Sequence, residues 1–201
     1  GGAFGFNGAA GNTVTLGGTN TFTGQATITG LVKASVLADT GVVSSLGAGT
    51  TVGLSAGTLS YTGTGDGSDR AWTIAGAGGI SNDGTGALDL SGNASFAPGG
   101  AVDSLTLGGS FTGENQFSGV ISGVGSLFSN GSGTWVIGGA NNFTGNVTVT
   151  SGTLKVGNAA AFGPANGLIV NGGTLDLGGF GLVAPSLTGT GGTGALGAQA
   201  P

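Results

Sequence analysis

The stretch Gly65-Asp66-Gly67-Ser68-Asp69 holds the densest group of carboxylates in the chain. Two carboxylates with backbone carbonyls between them are oxygen ligands of the kind a hard divalent cation takes, so Asp66 and Asp69 are candidate Ca2+ ligands. The competing reading is an Asp/Gly turn in which Asp69 pairs with Arg70. Asp83, Asp89 and Asp103 raise a second chemistry, glycoside hydrolysis, which needs two carboxyl groups at a fixed separation across the scissile bond. Asp89 lies between Leu88 and Leu90, and Asp176 between Leu175 and Leu177; in a strand that pattern turns each carboxylate outward. Sugar chemistry also draws on cationic groups and aromatic platforms, and three cations, two tryptophans and one tyrosine supply little of either. With no histidine and no cysteine, Ser–His–Asp and Cys–His catalysis are excluded, as are zinc sites of the Cys/His kind. The expectation is therefore a protein that is not an enzyme and takes no cofactor, Ca2+ at Asp66 and Asp69 being the single metal candidate.

Charge narrows the partners. The formal net charge is −5, and Lys33, Arg70 and Lys155 are the only cations. No basic patch can be built from three scattered residues, so nucleic-acid binding by phosphate neutralisation is not expected. No apolar run approaches the roughly 18 residues of a membrane span. The opening residues show no basic-then-apolar leader, so the chain is expected to be a mature product or an excised piece. Fifty of 201 residues are glycine, a composition often found in disordered chains. Disorder, however, goes with low hydrophobicity and high net charge; a mean hydropathy of +0.35 argues for a packed core instead. Glycine does not recur every third residue, which excludes collagen.

The elements that must position these residues are short strands. Apolar residues alternate with Thr, Ser or Gly at Val14–Leu16, Ala26–Ile28, Val52–Leu54, Leu59–Tyr61, Trp72–Ile74, Leu88–Leu90, Leu105–Leu107, Val147–Val149, Leu154–Val156 and Leu175–Leu177. Period two sends one set to each face. Only Leu31–Ala38 hints at a helical period. The runs are too short and too frequent for a β-sandwich, and they carry repeats. Asn-x-Phe-(Thr/Ser)-Gly occurs at Asn20–Gly24, Asn115–Gly119 and Asn141–Gly145, and Gly-Thr-apolar opens strands at Gly57, Gly133, Gly152 and Gly173.

Such units build a parallel β-solenoid. Residues 1–201 are read as a single solenoid of roughly ten coils at ~20 residues each, uncapped at both ends. Irregular loops fall near 38–49 and 63–70. Glycine serves corners where φ is positive, and Asn follows it there, its amides stacking in ladders. Trp72 and Trp135 share the apolar side of their strands with Ile74 and Ile137, so core positions are expected instead of sugar platforms. Phe22, Phe117 and Phe143 are expected to stack in an internal column. Thr13/Thr15, Thr27/Thr29 and Thr148/Thr150 read as solvated β-branched positions, since their irregular spacing does not suit a lattice-matching array.

These residues resemble a known family. The stretches Asn115–Gly163 and Ser68–Gly92 are similar to the autotransporter-associated β-strand repeat, and Asn171–Gly192 resembles the region that follows it. With Thr13–Ala34 the resemblance covers about two-thirds of the chain. It implies a right-handed parallel β-helix, extracellular or on a bacterial cell surface, in a secreted passenger or a large repetitive adhesin.

The function expected from this is structural: a stiff stalk, or a subunit that self-associates head to tail through its solenoid ends. The alternative is an adhesin module that binds a glycan or a host surface through its outer face and loops, with Ala38–Gly49 and Gly63–Arg70 as the carriers.

Overall fold

The structure, a computed structural model, describes residues 2–99, 103–164, 167–181 and 186–190. Short alternating runs cannot bury their apolar side alone; they do so here by lying in register on the equivalent run of the next turn. Every pairing between strands is parallel. Among the described residues the antiparallel contact is an isolated bridge, Asn20 to Ser44.

The strands form three faces. The first comprises the opening halves of Ala26–Ala34 and Thr51–Tyr61, then Ala71–Ala75, Ala94–Phe96 and Ile121–Ser122. The second takes the closing halves of those two long strands, then Ala77–Asn82, Ser104–Gly109, Ser126–Gly131, Val147–Val149, Leu168–Val170 and Leu187–Gly189. The third stacks Asp66–Ser68, Leu88–Leu90, Glu114–Phe117, Thr134–Ile137, Thr153–Val156 and Thr174–Asp176. At the other end Phe4–Leu16 lies on Ala26–Ala34.

One inward column on the second face gives the pitch. Val14, Val32, Leu59, Ile80, Leu107, Ser129, Val149, Val170 and Gly189 follow one another in register. The solenoid thus has about eight turns, fewer than the roughly ten expected. The reason is unequal turns. The step from Val14 to Val32 is 18 residues, while that from Val32 to Leu59, which includes the irregular segment between positions 35 and 50, is 27, and that from Ile80 to Leu107 is also 27.

The core runs the length of the rod. Leu54, Leu59, Trp72, Ile74, Ile80, Leu88, Leu90, Leu105, Leu107, Leu127, Val147, Leu154 and Leu168 are all buried. Trp72 and Trp135 are core residues, as expected, and Trp135 Nε1 donates to the Gly108 carbonyl at 3.2 Å. Phe117 and Phe143 are fully buried, but the internal aromatic column does not form: the aromatic pairs among the described residues join Phe22 to Phe4 and Phe6 near one end. Leu31–Ala34 belongs to a strand and not to a helix, because stacking on its neighbours outweighs local propensity.

Glycine does more than turn corners. Fourteen described glycines have positive φ, among them Gly152 at 65°. Gly92 has no such φ; a Cβ there would drive into the carbonyl oxygen of Arg70 one turn away. Rungs this close leave no room for a side chain at the crossing.

The asparagines of Asn-x-Phe also differ from expectation. Asn115 and Asn141 are buried, and among the described residues the amide ladder is a single rung between Asn82 and Asn115. Asn115 Oδ1 accepts from Asn82 Nδ2 at 2.6 Å and from the Leu88 amide at 3.1 Å, while its Nδ2 donates to the Thr134 carbonyl at 3.4 Å. Asn141 Oδ1 accepts from the Ile121 amide at 2.7 Å and its Nδ2 donates to the Ala161 carbonyl. Each amide bridges three successive turns where strand pairing lapses, satisfying backbone groups that burial would otherwise strand.

Candidate functional site

The excursion between positions 35 and 50 is the largest departure from the stack, and it is pinned from below by Arg70. That side chain is 2% exposed. Its Nη1 donates to the Leu46 carbonyl at 3.1 Å; its Nη2 donates to Val42 O at 2.8 Å and Gly47 O at 2.6 Å, with Asp39 O at 3.5 Å. A planar guanidinium suits this task, since its fork of donors gathers several carbonyls that no strand would satisfy. Burial pulls the Arg70 pKa down, and the nearby charges of Asp69 and Asp39 partly restore it. The expected pairing of Asp69 with Arg70 does not form as an ion pair. The guanidinium turns inward to the loop carbonyls, and among the described residues the ion pair is Lys155 with Glu114 at 3.0 Å.

Asp66 and Asp69 lie where the third face begins, Asp66 in the strand Asp66–Ser68. The segment 63–70, expected as a loop, therefore contributes a rung. Asp66 Oδ2 accepts from the Leu37 amide at 3.0 Å and from the Tyr61 hydroxyl at 3.0 Å. Asp69 Oδ1 accepts from the Thr40 amide at 2.6 Å, and Asp39 Oδ1 in turn accepts from the Asp69 amide at 3.0 Å. The Thr40 amide holds the Asp69 carboxyl below the usual carboxylate range. Ser68 Oγ donates to Ala38 O at 2.9 Å, closing the seam. The two aspartates thus each give an oxygen to loop amides, which is anchoring chemistry. Among the described residues no group of three or more His, Cys, Asp or Glu is gathered as metal ligands would be.

The other carboxylates are spread along the rod. Asp83 accepts from Ser60 Oγ at 2.7 Å and the Ser110 amide at 3.0 Å. Asp103, 4% exposed, accepts from the Gly76 amide at 2.6 Å. Asp89 faces outward in Leu88–Leu90, and Asp176 is half-buried on the same face. A hollow of about 50 Å³ beside Val156, Asn158, Ala161 and Phe162 is far below the roughly 300–1,000 Å³ of a typical ligand pocket. Thr148 is 8% exposed and Thr150 Oγ1 donates to the Ser129 carbonyl, so these hydroxyls form no free array.

Two features escaped the sequence reading. Arg70 looked like one half of a local ion pair, although its scarcity in a chain with three cations was a signal that it had a specific post. Val136 faces outward yet is 8% exposed. Its register neighbour on the next turn is Lys155, whose Nζ pairs with Glu114 at 3.0 Å.

The parallel β-solenoid built from these repeats is similar to an autotransporter-passenger repeat. Among curated proteins, "Adhesin BmaC autotransporter" of Brucella suis biovar 1 (strain 1330) is 47% identical over 151 residues, 75% of this chain and 4% of that protein. The chain thus spans a small fraction of the length of the curated relative it matches. No protein-family model matches, and no solved structure does. The repeat recognised in the sequence is supported by this relative, and with it the extracellular or cell-surface location. No helix among the described residues is long and apolar enough to cross a membrane.

Proposed function

We propose that this chain is a stiff segment of a bacterial surface adhesin, whose solenoid holds loop 35–50 away from the cell as a contact point. The observation that carries this reading is the Arg70 clamp on loop 35–50. A loop fixed by a buried cation is preorganised, and preorganisation lowers the ordering cost of binding. The 47% identity to an autotransporter adhesin supports the adhesive role. The scattered carboxylates favour neither hydrolysis nor another catalytic activity. Ca2+ at Asp66 and Asp69 would have to use their remaining oxygens.

Beads coated with purified chain and settled on epithelial monolayers test the reading. Folded chain should hold beads against shear, whereas bare beads and beads coated with urea-unfolded chain detach. Equal detachment of all three would overturn it. Head-to-tail stacking of separate copies is the other assembly the rod allows. Electron micrographs distinguish the two: free-ended rods about 40 Å long, eight turns at ~4.8 Å, belong to a stalk segment, and continuous fibres to a stacking subunit.

A further inference from the structure

We propose that the tip Asp39–Val43, together with Asp69, is a knob that docks into an apolar groove of a partner protein bordered by lysine or arginine. This deepens the adhesin reading and rests on it. The tip is unusual in this chain. Val42 is 51% exposed and Val43 41% exposed, two adjacent valines among the five large hydrophobic residues exposed in the described structure. The tip does not hang loose. The Val42 carbonyl is held by Arg70 Nη2 at 2.8 Å, and Thr40 is held by Asp69 at 2.6 Å. The Ser44 carbonyl accepts from the Asn20 amide at 2.8 Å, and the Ser44 and Leu46 side chains beneath are buried. The valine side chains are therefore presented, at fixed positions, to whatever meets the rod.

The rim determines the partner. Asp39 and Asp69 are exposed beside the tip, and each has a carboxylate oxygen left over after their reciprocal bonds to backbone amides. The nearest cation, Arg70, is buried beneath and already committed to carbonyls. An apolar centre with an anionic border complements an apolar groove with a cationic border. A second copy of this chain cannot supply that border: beyond Arg70 it has Lys33 and Lys155, and Lys155 is paired with Glu114. Anionic glycans and acidic lipid headgroups are repelled. A neutral glycan would want an aromatic platform, whereas Trp72, Trp135 and Tyr61 are all buried.

The test uses the whole chain on beads over epithelial monolayers, with four proteins: unchanged, Val42→Thr/Val43→Thr, Asp39→Asn/Asp69→Asn, and Val124→Thr. Val124, 70% exposed elsewhere on the rod, is the control. The asparagines keep the oxygen that accepts the loop amides, and circular dichroism checks that each variant folds. Attachment should fall about tenfold in both double variants and stay unchanged in Val124→Thr. Raised salt should weaken attachment of the unchanged chain and have less effect on Asp39→Asn/Asp69→Asn. Trypsin treatment of the monolayer should abolish attachment, and glycosidase treatment should not. Full attachment by both double variants refutes the knob while leaving the adhesin reading in place. Loss with glycosidase but not trypsin refutes the protein partner. No attachment by the unchanged chain overturns both proposals.

Discussion

Replacing Arg70 with alanine is the sharpest test of how the loop is held. The guanidinium serves the carbonyls of Leu46, Val42 and Gly47 within 3.1 Å, and Leu46 and Gly47 are buried. The buried Leu46 carbonyl is then left without a donor, at a cost of about 1–3 kcal/mol, whereas the Gly47 carbonyl keeps the Ser44 amide at 3.0 Å and the Ser44 hydroxyl at 2.9 Å. Loss of the charged bonds to Val42 and Gly47 adds to this and the relief of desolvating one cation offsets part of it, so a net loss of about 2 kcal/mol is expected. In a chain of this size about 1 kcal/mol moves Tm by roughly 2–4 °C, which gives a fall of about 4–8 °C. The loss should be uneven. Hydrogen exchange should speed up at the Leu37 and Thr40 amides, which the loop seam protects, while Val149 and Leu154, several turns away, keep their protection. Arg70→Lys should recover only part of the stability, because a single ammonium cannot span three carbonyls. A melting point within about 2 °C of the unchanged protein, with loop exchange unaltered, would refute the idea that Arg70 holds the loop.

Asn141→Leu leaves the Ile121 amide and the Ala161 carbonyl without their partner. It should cost about 2–4 kcal/mol in denaturant titration, with exchange accelerated at Ile121. Burial pushes the Tyr61 phenol up to about 12, the Asp66 carboxylate adding to the rise and the Gly65 amide opposing it. Below pH 10, the unfolded value, both states are protonated and stability is complete. Between about 10 and 12 the unfolded chain gives up a proton that the folded chain keeps, so stability falls as pH rises. Tyr61 is the single tyrosine, so phenolate absorbance reads this directly, and Tyr61→Phe should abolish this part of the alkaline loss. Melts in EGTA and in millimolar Ca2+ should superimpose, since the amide bonds of Asp66 and Asp69 already fix the seam; a higher Tm in Ca2+ would place an ion on their free oxygens.

The inward residues were legible because alternation is a local property. Leu88 and Leu90, Val147 and Val149, and Trp72 and Ile74 each announce their face within three positions, and each is buried. The number of turns was not legible, because turns from 18 to 27 residues long carry the same short strands. Nor was the inward aim of Asn115 and Asn141. Their hydrogen bonds reach the preceding and following turns, up to 33 residues away, and no local pattern marks such a partner. Arg70 failed for the same reason. Its side chain is adjacent to Asp69 in sequence, but its partners lie 23 to 31 residues earlier. The Asp66 and Asp69 cluster was visible as a cluster, while its role as an anchor for Leu37 and Thr40 depended on a loop whose path the sequence did not fix.

The parallel stacking of closed turns bears on how the rod behaves under load. When it is pulled from its chain ends, the outermost coil meets the force first, and the bonds joining it to the next coil open one after another. A released coil of about 22 residues pays out roughly 70 Å of slack, many times the ~4.8 Å it occupied while wound. A tether of this design lengthens in discrete steps and keeps its remaining coils shut, so a sudden tug in flowing liquid is absorbed by unreeling before it reaches the point of attachment.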